Sequence, residues 1–236
     1  MSEQEFLETY DKTQFDLPLL TVDAVIFTFH EAELKVLLVQ RNSHPERGKW
    51  SLPGGFVDTS KDDTLESTAR RKVIDKTGVT PQYLEQVSTV GSNRRDKRGW
   101  SASVCYTALV AFENCKSDNP DIAKIAWVGF DRIPSDLAFD HAQLIYIARE
   151  RLKQKALYSI VPAFVLPEKF TLPELQHIHE ALIGKTIQTK SFRRRIEQAG
   201  LLIDTGDTRS EGARPAVLYR LTKAASQFKF IRNLEA

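Results

Sequence analysis

Lys72, Asp75 and Lys76 stand at i, i+3 and i+4, the spacing that puts three side chains on one face of a helix. A hard divalent cation wants several anionic oxygens, and this face offers one carboxylate between two ammonium groups. Such a face repels Mg2+ and tolerates phosphate. Upstream, the Gly54-Gly55 pair lets backbone come close to a ligand because no Cβ intervenes, and Arg41, Arg47 and Lys49 flank that loop. Phe56 follows it, and Phe56 and Trp50 are each either core residues or stacking partners for a ring. A second set of residues lies far downstream. Thr189–Ile196 places Lys190, Arg193, Arg194 and Arg195 within six positions of a helix anchored by Phe192 and Ile196. With those two inward, Lys190, Ser191, Arg193 and Arg194 project outward. That is what a helix lying in the DNA major groove needs, since arginine there makes paired bonds to guanine and other side chains hold phosphates. Arg209 and Arg214, in the turn that follows, stand where a wing would reach phosphate or the minor groove.

These residues need elements to hold them. Thr21–Phe29 and Leu34–Arg41 are β-branched, apolar runs around Glu31-Ala32-Glu33 and read as a hairpin. Asp62–Thr77 carries Leu65, Ala69, Val73 and Ile74 at helical spacing and closes at Gly78. Trp100–Phe112 and Ile125–Phe130 read as strands. Asp140 is the expected N-cap of a helix to about Leu157 with Leu144, Ile147, Ala148 and Leu152 on one face. Tyr158–Lys169 has two prolines and no period, so a linker is placed there. Thr171-Leu172-Pro173-Glu174 is a capping box that starts a helix with Leu175, Ile178, Ala181 and Leu182 inward and Gly184 at its end. A second helix covers about Thr189–Ala199. Leu201–Ile203, a polar turn Asp204–Arg214 and a strand Ala216–Leu221 follow. This predicts three parts: residues 1–157 as an α/β ligand-sensing domain, 158–169 as linker, and 170–236 as a winged helix-turn-helix.

Composition permits this division. The chain has 236 residues, 42% of them hydrophobic and 27% charged, which suits globular domains with real cores. No apolar run approaches the roughly 18 residues of a membrane span. The polar start of the chain is neither a secretory signal nor a transit peptide, so a cytoplasmic protein is expected. Two cysteines make no disulfide framework, and Cys105 is expected as a buried thiol. Charge is uneven: Ile160–Ala236 holds 12 Lys and Arg against 8 Asp and Glu, a net of +4, while the rest is net −2. The second half therefore suits an anionic partner.

Leu52-Pro53-Gly54-Gly55 together with Arg71-Lys72-Val73-Ile74-Asp75-Lys76-Thr77-Gly78-Val79 resembles the box of the Nudix family, G-x5-E-x7-R-E-U-x-E-E-x-G-U. Arg71, Val73, Gly78 and Val79 match in register, and Asp63 stands where the family has Glu before Arg71. The gap from glycine to Asp63 is two residues longer than the family's. The resemblance implies an α/β/α sandwich with a mixed sheet. It also implies that Lys72, Asp75 and Lys76 occupy the positions of metal-holding carboxylates, a formal charge of +1 where the family has −3. Without metal to bridge the diphosphate and orient water, hydrolysis is expected to be absent. The segment Asp96-Lys97-Arg98-Gly99-Trp100 resembles the D-P-R-G segment of ADP-ribose-type members.

Over nearly the whole chain, Phe170–Gln176, Ser191–Arg195 and Arg214–Tyr219 added to the Nudix-like half resemble the NrtR family of transcriptional regulators. The resemblance implies a repressor of NAD-biosynthesis genes that responds to ADP-ribose. One recognition helix covers few base pairs, so a homodimer on a roughly palindromic operator is expected; ligand binding is expected to release DNA, and the Lys72/Asp75/Lys76 face to need no metal or other cofactor. The expected ligand-binding residues are Arg41, Arg47, Gly54, Gly55, Phe56, Lys72, Lys76, Asp96 and Arg98. The expected DNA-binding residues are Lys190, Ser191, Arg193, Arg194, Arg209 and Arg214. The competing expectation is an active ADP-ribose pyrophosphatase whose appended domain serves dimerisation.

Overall fold

The structure, a computed structural model, describes residues 1–113, 115–211, 214–231 and 233–234, with the side chains of 211 and 214 outside the description. After a short helix α1 (Glu3–Thr9), strands β1 (Leu19–His30) and β2 (Glu33–Arg41) form the expected hairpin. Its two-residue turn has Glu31 and Ala32 at φ 55° and 58°, the left-handed pair that matches strand twist. Short strands β3 (Trp50–Ser51) and β4 (Gly54–Phe56), helix α2 (Leu65–Thr77), then β5 (Tyr83–Ser92), β6 (Ser101–Leu109), β7 (Ile122–Gly129) and α3 (His141–Tyr158) complete the first half. The sheet runs β3-β2-β1-β6-β5, with β4 also on β1 and β7 also on β2. β1 and β6 are parallel and the other pairs antiparallel. The sheet is mixed, as expected.

Strand alternation in β1 decides which helix covers which face. Val22, Ala24 and Ile26 pack with Ala69 and Val73 of α2. Val25 and Phe27 point the other way and pack with Leu144, Ala148 and Leu152 of α3. Helices on both faces of one sheet give the α/β/α sandwich. Cys105 is fully buried, and burial pushes its thiol up to about 12.

The second half is α4 (Leu172–Ile183), α5 (Thr189–Gln198) and a hairpin of β8 (Leu202–Glu211) and β9 (Arg214–Leu221). Phe170 pairs with Tyr219 of β9 through a single antiparallel bridge. Both arms of the Thr171–Glu174 capping box form, with Pro173 in the first turn and Gly184 as left-handed cap. Gln176 donates to the Ile187 carbonyl at 2.9 Å, and Ile187 N–H donates to Glu180 at 2.8 Å, so the turn between α4 and α5 is pinned. Helix, turn, helix and wing stand in the expected order.

Several expectations need correction. Ile74 is 40% exposed, because α2 turns its Ala69–Val73 edge to the sheet. Ala181 is exposed and His179 takes the buried place on α4. Ile147 is only half-buried beside buried Ile145. Asp140 precedes α3 but makes no capping bond; its carboxylate accepts from Arg95 Nε and Nη2 at 3.0 and 2.9 Å. The turn expected over Asp204–Arg214 is mostly strand, since β8 extends to Glu211. Strand β5 was not anticipated, and neither was α1. Tyr158–Lys169, expected as the linker, carries ordered structure. Val161–Val165 forms a 3-10 turn, and Ile160, Val161, Ala163, Val165 and Leu166 are buried in one core cluster with α3 and α4.

Candidate anion-binding site and nucleic-acid interface

Between the β3–β4 loop, α2 and the loop before β6 lies a cavity of about 250 Å³. Gly54 belongs where the loop crosses β1: a Cβ there would stand 2.1 Å from Asp23 Oδ1 and 2.5 Å from the Val22 carbonyl. Gly55, at φ 150°, faces the Lys72 side chain, whose Nζ would lie 3.3 Å from an added Cβ. The loop is fixed from beneath by His141, whose Nδ1 accepts from Leu52 N–H at 2.8 Å. That bond makes Nε2 the protonated nitrogen, and it sits 3.6 Å from Asp23. Burial pushes the His141 pKa down. Arg95, also buried, links Asp23 at 3.6 Å to Asp140 at 2.9 Å.

Lys72, Asp75 and Lys76 of α2 all line the cavity. Burial first, and then Lys72 and Arg41, hold the Lys76 ammonium below its ordinary value. Burial and then Arg71 do the same to Lys72. Among the described residues neither ammonium has a carboxylate within ion-pair distance, whereas Arg98 is forked to Asp96 at 2.7 Å. Arg41 donates to the Pro45 carbonyl at 2.8 Å and lies over the Phe139 ring. Three cations without a carboxylate ion pair among the described residues thus converge on a cavity whose wall also carries Asp23, Asp75, Asp96 and Asp121. An anion with several oxygens suits those cations. Of the α2 side chains that line the cavity only Asp75 is a carboxylate, and among the described residues no three His, Cys, Asp or Glu side chains group as metal ligands would.

Of the sequence-predicted ligand residues, Arg41, Gly54, Gly55, Phe56, Lys72, Lys76, Asp96 and Arg98 are brought together here. Phe56 is 39% exposed, with the Arg98 guanidinium 4.8 Å over its ring. Arg47 is exposed and does not line the cavity, and Lys49 turns instead to Glu46 at 2.7 Å. The anchor of Arg71 is Asp62, not Asp63: Arg71 Nε and Nη2 donate to the Asp62 carboxylate at 2.6 and 2.5 Å. That pair holds the carboxyl well below the usual range, while Asp63 is exposed. The sequence reading missed Asp23, Arg95, Phe139 and His141, whose spread over more than 100 positions leaves no local signal.

On α5, Phe192 and Ile196 are fully buried, and Lys190, Arg193 and Arg194 are exposed, with Ser191 half-buried. Arg195 is turned aside to the Asn233 carbonyl. Arg209 does not stand at a wing tip: it donates to Glu174 at 2.7 Å and to the Lys169 carbonyl at 3.2 Å. The Arg214 side chain lies outside the described residues.

A family described as "NUDIX domain" matches residues 18–146, and one described as "NrtR DNA-binding winged helix domain" matches residues 162–221. The chain belongs to the NrtR family. It is 41% identical over 235 residues to the Acinetobacter baylyi "ADPR responsive transcriptional repressor NtrR", covering 99% of this chain and 94% of that one. Shewanella oneidensis NrtR, solved in complex with a 27mer DNA, aligns with a TM-score of 0.86 at 58% identity, covering 92% of this chain and 99% of that chain. The NUDIX domain of that protein, solved in complex with ADP ribose, aligns at 0.61 with 51% identity, covering 64% and 99%. Both halves of this NrtR-family chain therefore have close relatives of known fold, and no described helix is long and apolar enough to cross a membrane.

Proposed function

We propose that this chain is a DNA-binding transcriptional repressor of NAD-biosynthesis genes, acting in the cytoplasm, that senses ADP-ribose and releases its operator on binding it. Residues 1–157 form the sensing domain and 170–236 the DNA-binding domain, joined through 158–169. The reading rests on one observation above the others. Lys72 and Lys76, without carboxylate partners among the described residues, face the cavity from the places where the Nudix box carries metal-holding carboxylates. The diphosphate is held by Arg41, Lys72 and Lys76 directly, and the bond is not cleaved. The ADP-ribose complex of the Shewanella relative supports the ligand, and its DNA complex supports the partner. A single recognition helix reads few base pairs, so a homodimer on a roughly palindromic site gives useful specificity. Lys190, Ser191, Arg193 and Arg194 contact DNA, with Arg214 in the wing.

Calorimetry with ADP-ribose, in chelator and again in Mg2+, tests the sensor. Equal affinity in both, no AMP formed, and an at least roughly 10-fold weaker Lys76→Ala variant are expected, since a charge-assisted bond is worth about 1.5–3 kcal/mol. Robust Mg2+-dependent release of AMP returns the chain to the enzymes.

A further inference from the structure

At the start of α3 one guanidinium holds a carboxylate away from the role its position gives it. Asp140 stands where an N-cap would, yet its backbone is at φ −98° and ψ 22°, outside the extended region usual for a cap, and it makes no cap bond. Among the described residues no carbonyl of the preceding loop accepts from the N–H of Ala142, the group such a cap would take. Arg95 Nε and Nη2 fork onto the Asp140 carboxylate instead, at 3.0 and 2.9 Å. Phe139, just before, sits at φ 55°, in the left-handed region that a bulky side chain rarely adopts.

The same guanidinium is shared. Its Nη2 lies 3.6 Å from Asp23, a buried carboxylate that accepts from Ser103 Oγ at 2.6 Å. His141 Nε2 is also 3.6 Å from Asp23, but burial keeps that imidazole neutral at pH 7. Two carboxylates therefore share a single guanidinium whose side chain is 6% exposed. Arg95 lines the anion cavity too, and among the described residues its Nη1 makes no hydrogen bond. The glycine loop is tied to this point as well: Leu52 N–H donates to His141, and Ala138 N–H to the Trp50 carbonyl, both at 2.8 Å.

We propose that Arg95 is the residue that reads occupancy of the cavity: an oxyanion of the bound ligand draws its guanidinium off Asp140, and the freed carboxylate turns to cap α3. Nη1 gives the ligand a first contact while the fork is still intact. A third anion then competes for one cation. Asp140 has another place to go, the first-turn N–H groups of α3, where the helix dipole favours negative charge. Taking that place turns Asp140 to extended backbone, so the chain enters α3 at a different angle. The two arrangements satisfy the same groups and differ in which anion holds Arg95, which is what lets a ligand shift their balance. Arg95 thus acts through α3, as a positioning residue beside the cations that hold the diphosphate.

This inference rests on release of DNA by ADP-ribose, and the test separates the two. Full-length protein bound to operator duplex is titrated with ADP-ribose and followed by anisotropy, with calorimetry for the ligand alone and thermal melting as a control for folding. In the unaltered chain ADP-ribose is expected to release the operator; no release at saturation sinks the sensor reading itself. Asp140→Asn keeps a good cap and weakens the fork. It should bind ADP-ribose at least about 5-fold more tightly, the low end of ordinary coupling, and release operator at a correspondingly lower concentration. A merely structural role predicts the opposite, weaker binding of both ligands; that result, or an unchanged half-release concentration, overturns the role of Arg95 alone. Hydrogen exchange reads the cap directly. In the unaltered chain ADP-ribose should slow exchange at the first turn of α3, and in Asp140→Ala it should not. Equal exchange with and without ADP-ribose in the unaltered chain, or equal slowing in the Ala variant, also overturns it, whether or not the Asn variant folds.

Discussion

Two buried or half-buried side chains show how far a residue's neighbours decide its chemistry. Lys76 would be an ordinary surface lysine on an isolated helix; against Lys72 and Arg41 in a cavity wall it becomes an unfilled demand for an anion. His179, on α4, is an opposite case. Its Nδ1 donates to the Ala156 carbonyl of α3 at 2.8 Å, and its Nε2 is buried without a partner among the described residues. Burial pushes its pKa from 6.5 down to about 4. Above pH 6.5 both folded and unfolded chains carry it neutral, so its contribution to stability is intact there. As pH falls toward 4 only the unfolded chain takes up the proton, and stability is lost. From pH 7.5 to pH 5 the loss from this group is expected to be roughly 2 kcal/mol. Urea unfolding at the two pH values measures it, and His179→Phe should shrink the drop by about that amount. An equal drop in the variant would show that other groups carry it.

Elements turn these side chains into sites. Helix α2 faces the sheet with Ala69 and Val73, which leaves Lys72, Asp75 and Lys76 to the cavity. Helix α5 buries Phe192 and Ile196 and so sends Lys190, Arg193 and Arg194 to solvent. The wing is less basic in effect than its sequence, because Arg209 is spent on Glu174 and the Lys169 carbonyl. Under the proposed function, base reading would fall to α5. Arg193→Ala or Arg194→Ala should cost about 1–3 kcal/mol on the operator and little on unrelated DNA, whereas Lys190→Ala should weaken all sequences and lower the salt slope by about one. Fluorescence anisotropy on operator and scrambled duplexes at several salt concentrations distinguishes them. Equal losses on both duplexes for the arginines would assign them to phosphates.

At the scale of the molecule, one 18-residue helix joins the cavity to the DNA-binding half. His141, the first residue of α3, lines the cavity. At the other end, α3 accepts from His179 of α4, and from Phe230 and Leu234 N–H at its Tyr158 and Leu157 carbonyls, both at 2.7 Å. Asn233 of that same tail receives Arg195 of α5. Between the halves, Ile160, Val161, Ala163, Val165 and Leu166 are packed into one core with α3 and α4. Under the proposed function, α3, about 27 Å long, is the element through which a shift at the cavity would reach the DNA-binding half. Saturating ADP-ribose is expected to lower operator affinity 5- to 150-fold, and operator DNA to lower ADP-ribose affinity by the same factor. Titrating each ligand with and without the other checks both. Superimposable curves would mean uncoupled halves, and tighter DNA binding would make the ligand a corepressor.

Strong local signals determined much of this protein. The paired glycines of the loop, the α2 face, the Thr171–Glu174 capping box and the Phe192/Ile196 spacing were legible because each is a short-range pattern with its own physical cause. Strand β5 was not, because its half-exposed, polar residues lack the alternation of a buried strand. Neither was the polar wing strand β8, whose order comes from pairing with β9. The replacement of Asp63 by Asp62 as partner of Arg71, the turning away of Arg47 and Arg209, and the Asp23–Arg95–Asp140–His141 cluster were decided only by the fold. Those outcomes depend on which charges meet across more than one element, and distance in space between residues far apart in the chain is not written in their local order.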